Sequence, residues 1–157
     1  MKFYLKICVS LLIIAGGIVY LFSPKPIVKN PESAEIILVL VRTTDNGPGV
    51  SYKHVENFDE LAILNVLHEA KQRQTLYNYQ MYLSDQVDID LIISLNNANE
   101  RSYEVNLGNE SFTFYSGGDF KHWVLDQEQV LRDVAALIDP GELVGTVLED
   151  AAANGET

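Results

Sequence analysis

Val87–Tyr115, VDIDLIISLNNANERSYEVNLGNESFTFY, decides the fold. Val87, Ile89, Leu91, Ile93 and Leu95 alternate with Asp88, Asp90 and Ser94. Tyr103, Val105 and Leu107 alternate with Ser102, Glu104 and Asn106. Phe112 and Phe114 alternate with Thr113 and Tyr115. Successive side chains on a strand point to opposite faces, so period-two patterning builds one apolar and one polar face. Asn96–Asn99 and Gly108–Asn109 are turn residues between these runs. The spacing predicts an antiparallel meander of three strands with one wet face. Gly117-Gly118 closes the third, and a short fourth strand is expected over Lys121–Leu125, around Trp123.

After the meander, Asp126 and Gln129 form a helix-start pair. Val130, Leu131, Val134, Leu137 and Ile138 follow as an amphipathic stripe, and Asp139-Pro140-Gly141 stops it. Residues 142–157 are expected to be frayed, then disordered. Before the meander, Ile36–Val41 (IILVLV) reads as a strand buried on both faces. Asp45–Gly49 is a turn. Asn57 and Glu60 resemble a capping box, and Ile63, Val66, Leu67 and Ala70 share one helical face ending around Arg73 to Thr75. Leu76–Leu83 is a loop or an edge strand. The class is therefore α+β: one domain over residues 34–141, with about four to five antiparallel strands and two helices, in the order β-α-β-β-β-(β)-α. Cystatin-like and half-TATA-binding-protein-like arrangements share this order, which says nothing of function.

At the amino end, Ile7–Phe22, ICVSLLIIAGGIVYLF, carries no charge and follows Lys2 and Lys6. It reads as a signal anchor, a transmembrane helix over residues 1–22 with membrane contact through residues 3–22. The proline-marked stretch 23–33 reads as a linker. On this reading the chain is a single-pass membrane protein with a cytoplasmic amino terminus and an extracytoplasmic domain. The alternative is a cleaved secretory signal.

The formal net charge is −11. Of 11 basic residues, Lys2, Lys6, Lys25 and Lys29 precede Pro31, whereas all 22 acidic residues follow it. So acidic a domain repels nucleic acid phosphates, and no nucleic acid partner is expected. The one cysteine, Cys8, lies in the apolar run, so the domain has neither disulfide nor thiolate chemistry.

Asp85, Asp88 and Asp90 are the closest carboxylates, but they lack the glycine and terminal glutamate of a calcium loop and read as a solvated strand face. His54, His68 and His122 have no zinc-ligand spacing. Nucleophile-elbow and phosphate-loop motifs are absent from the sequence. No catalytic residue, metal or cofactor is expected. Tyr77, Tyr79 and Tyr82, with Met81, put four amphipathic side chains within six residues and are the candidate partner contact. These features point to a membrane-anchored, non-catalytic interaction or sensing domain. The alternatives are a hydrolase using Asp88, Asp90 and a histidine, and a structural subunit of an envelope complex.

Ile63-Leu64, Leu67, Ala70-Lys71, the Tyr103 strand, Phe112–Tyr115 and Trp123 form an ordered set of landmarks. This set resembles that of a group of small membrane-anchored proteins of unknown function from Gram-positive bacteria. The resemblance implies a membrane segment, an apolar first strand, a helix and an aromatic-bearing meander. It covers most of residues 35–138 and implies no functional residue. The serine–valine–asparagine–aspartate stretch and the proline that follow the helix in that group are absent here.

Overall fold

The computed structural model describes residues 2–44, 49–74, 89–97, 102–115 and 121–153, with side chains from Lys6 onward. Its strands are β1 (Lys25–Pro26), β2 (Ala34–Arg42), β3 (Tyr52–His54), β4 (Lys71–Gln74), β5 (Ile89–Asn97), β6 (Tyr103–Gly108), β7 (Phe112–Tyr115) and β8 (Lys121–Val124). They form one eight-stranded antiparallel sheet in the order β1-β4-β8-β7-β6-β5-β2-β3. The helices are α1 (Lys2–Phe22), α2 (Glu60–Glu69), α3 (Gln127–Ala135), α4 (Pro140–Leu143) and α5 (Glu149–Ala153). The α+β class stands, but the expected four to five strands become eight and the two domain helices become four. The additional strands are too short to carry a period. Lys71–Gln74, KQRQ, has no apolar residue and reads locally as the tail of α2.

The expected transmembrane helix, signal anchor and single-pass topology are corrected. The apolar run does form α1, and its side chains are exposed, Leu12 at 72% and Val19 at 70%. Among the described residues, however, no helix is long and apolar enough to cross a membrane. At 1.5 Å per residue the charge-free run Ile7–Phe22 is about 24 Å long, short of a hydrocarbon core of about 30 Å. Lys6 bounds it at the amino end. The placement of the domain outside a membrane, which rested on that span, goes with it.

One face of the sheet is covered by α2 and α3. Val39, Val41, Leu91, Ile93, Leu95, Val105 and Leu107 project from β2, β5 and β6 to meet Ile63, Leu64 and Leu67 of α2 and Val130 and Val134 of α3. Burying a side chain of this size contributes about 1.5–3 kcal/mol, so this layer holds the domain together. The cap of α2 is Asp59, two residues beyond the expected Asn57, and its Oδ1 accepts from the Ala62 N–H at 3.0 Å. Asn57 instead donates to Glu142 Oε1 at 2.8 Å. Asp126 does precede α3, but at φ +51° and with no side-chain cap bond.

Within the expected linker, β1 pairs with β4, and Ile27 and Val28 are buried. Their N–H groups donate to the carbonyls of Ala70 and Leu67 at 3.2 and 3.1 Å, fastening the segment to the end of α2. Within the expected frayed tail, Leu143 and Leu148 are buried in the same core. Gly145, at φ +75°, turns the chain between α4 and α5, a conformation glycine adopts without strain. Its carbonyl accepts from the Thr44 N–H at 3.0 Å.

Candidate functional site on the helix-free face of the sheet

Cross-strand partners share a face, so the register identifies the side that no helix covers among the described residues. One row runs Leu40, Ile92, Asn106, Phe112, Trp123, Arg73 across β2, β5, β6, β7, β8 and β4. A second runs Leu38, Ser94, Glu104, Phe114, Lys121. Ile37 is the extra residue where the β2–β5 register shifts between Ile36 and Leu38, and it is 58% exposed. The strand expected to be buried on both faces therefore has one exposed side chain, delivered by a bulge.

The aromatic end of this face is built by contacts between strands. Phe112 and Trp123 meet edge to face with centroids 6.5 Å apart. The Lys121 ammonium sits 4.2 Å from the Phe112 centroid and 6.0 Å from that of Trp123. Phe112 is thereby buried while Trp123 stays 37% exposed. Toward β2, a depression of about 290 Å³ is lined by Ile37, Ser94, Leu95, Tyr103, Glu104 and Phe114, among others. Between the two lies Asn106, 2% exposed, whose Nδ2 finds no acceptor among the described residues.

Among the residues singled out from the sequence, Asp90 lies on this face, but it is not solvated: its side chain is 19% exposed and Oδ1 lies 3.1 Å from Arg42 Nη2. Asp85, Asp88, Tyr77, Tyr79, Met81 and Tyr82 lie outside the described residues. The histidines stand apart. His54 is on β3, and His68 on α2 donates through Nδ1 to the Val28 carbonyl at 2.8 Å. His122 is on the helix-covered side of β8. Among the described residues no group of three or more His, Cys, Asp or Glu side chains could hold a metal ion. No family model, no curated protein and no solved structure matches the chain.

On the helix-covered side, β4, β7 and β8 enclose polar groups. Gln72, 4% exposed, accepts from the buried Thr113 hydroxyl through Oε1. Its Nε2 donates to Tyr115 Oη at 2.8 Å and to the Pro26 carbonyl at 3.3 Å. Tyr115 stacks on Tyr103 at 5.0 Å and meets the His122 ring edge-on at 5.1 Å. Burial of His122 in this group, then the charge of Lys25, hold its pKa below 6.5.

That depression fixes the sign of a pH effect. At neutral pH His122 is uncharged in both the folded and the unfolded chain, and its titration does not favour either. As pH falls through 6.5 the unfolded chain protonates first, so stability is lost until the lower folded pKa is passed. Glu142, held below 4.5 by the Asn57 amide and by Lys53, loses its contribution at more acid pH, outside that window. Thermal unfolding between pH 7 and 5 is therefore expected to show a steeper fall in Tm for the wild type than for His122→Gln. Equal slopes would remove His122 from the account.

Proposed function

We propose that this domain is a non-catalytic protein-contact module that works through the helix-free face of its sheet. The observation that carries the reading is the exposure of Trp123 and Ile37 on that face, against a buried apolar layer between the other face and the helices. Isolated exposed apolar residues need no explanation, but a tryptophan packed on Phe112, with Phe114 in the next row and Ile37 at the other end of the same face, has the composition of a contact core. The charge pattern agrees. Arg42, Lys71, Arg73 and Lys121 project on this face against Glu35, Asp90 and Glu104. Among the described residues the charges on this face nearly balance, and depletion of net charge is what the centre of an interface needs. The hydrolase alternative draws no support from Asp90, whose carboxylate is held by Arg42.

The test is affinity co-purification from native cells with wild type and Trp123→Ala. Truncating a tryptophan at the centre of a contact costs about 2–4 kcal/mol of binding, so capture of the partner is expected to fall below detection. Trp123 is partly exposed and its edge contact with Phe112 contributes about 1 kcal/mol, so the fold is expected to survive. Undiminished capture by a folded Trp123→Ala protein would end the proposal.

A further inference from the structure

We infer that the partner segment lying over the β4–β8 end of this face is an acidic peptide stretch carrying apolar side chains. The inference rests on the contact reading above and adds the chemistry of the occupant. Arg73 is the cross-strand partner of Trp123, and Lys71 lies two residues before it on the same side of β4. Both are exposed, and neither forms an ion pair with any described residue. In a chain with 22 acidic residues against 11 basic ones, two cations on one side of β4 with no carboxylate beside them among the described residues leave a place for a carboxylate of another molecule. Lys121 adds a third cation over the Phe112 ring. Trp123 thus offers an apolar platform with positive charge along the β4 side.

The chain's own net charge does not forbid an acidic partner. At physiological ionic strength charges are screened beyond about 8 Å, so the charge beside the contact decides. On its far side Trp123 borders an open groove with Glu110, Asp126 and Glu128. The carboxylates of the partner therefore run along Lys71 and Arg73, and its apolar side chains cover Trp123. An extended peptide with alternating acidic and apolar residues meets both requirements, because its side chains alternate in direction.

The probe is a fluorophore-labelled peptide alternating Glu and Leu, titrated with the full chain and followed by fluorescence polarisation. Peptide alternating Lys and Leu and vesicles of phosphatidylglycerol serve as the other arms. The Glu–Leu peptide is expected to bind and the Lys–Leu peptide not to. Lys71→Glu with Arg73→Glu is expected to weaken binding about tenfold or more with an unchanged circular dichroism spectrum, since both side chains are exposed. Trp123→Ala is expected to weaken it to a similar degree. If the charge reversal has no effect while Trp123→Ala still abolishes peptide binding, the acidic occupant is wrong and the contact reading survives. If neither change matters, both fail. If the vesicles bind through Lys71 and Arg73 and the peptide does not, the surface reads lipid headgroups and the inference is overturned.

Discussion

Leu91→Ala is expected to remove about 2–5 kcal/mol of stability, enough to unfold much of a domain whose total margin is about 5–15 kcal/mol. Leu91 is 0% exposed in the interior of the sheet. It stands opposite Val41 of β2 and Leu107 of β6, both also fully buried. A cavity there opens in the fully buried layer between the sheet and the helices, out of reach of solvent. Ile92→Ala is the control: it is the next residue of the same strand, but it projects to the helix-free face and is half-buried. Its loss is expected to stay near 1 kcal/mol, as for a partly exposed aliphatic side chain. Urea denaturation should show the midpoint of Leu91→Ala far below that of Ile92→Ala at similar slopes. Equal midpoints would mean that the helices do not pack on β5.

Gln72→Ala is expected to cost about 2–4 kcal/mol through unmade hydrogen bonds rather than lost packing. The substitution deprives the buried Thr113 hydroxyl of its acceptor and takes a donor from both Tyr115 and the Pro26 carbonyl. A buried group left without its partner costs about 1–3 kcal/mol. Replacing both partners with apolar groups of similar shape is far milder, so Thr113→Val in a Gln72→Leu background should recover part of the loss. A double-mutant cycle on thermal unfolding reads this coupling. Strict additivity would show that the Gln72–Thr113 bond does not exist in solution. Because Gln72 also bonds Pro26, faster proteolysis before Ile27 is expected in the single variant.

Legibility followed the range of the interaction. The meander strands β5, β6 and β7 lie within two residues of where alternation puts them, because period two is a property of neighbouring side chains. The Val130–Ile138 stripe likewise gives α3 and the residues beyond it. β4 was hidden because KQRQ has no apolar residue. It becomes a strand only when Val124 and Lys25 pair with Gln72 from either side. The apolar run at the amino end was legible as a helix, but its length over charge-free residues stops short of a membrane-spanning element.

Alternation also leaves open which of two neighbouring residues faces the core. In β7 the register with β6 turns Thr113 and Tyr115 toward the helices and Phe112 and Phe114 away, the reverse of a simple hydrophobic ordering. Thr113 is acceptable inside because its hydroxyl donates a hydrogen bond to Gln72 Oε1, and Phe112 outside because Lys121 and Trp123 cover it. By itself the sequence determined the α+β class, the meander, the main helices and the acidic balance, all of which depend on local period and composition. Only the tertiary structure decided which face the described helices leave uncovered and that Trp123 lies beside Arg73 and Lys71. Cross-strand pairing joins residues far apart in the chain, and no local pattern records that pairing.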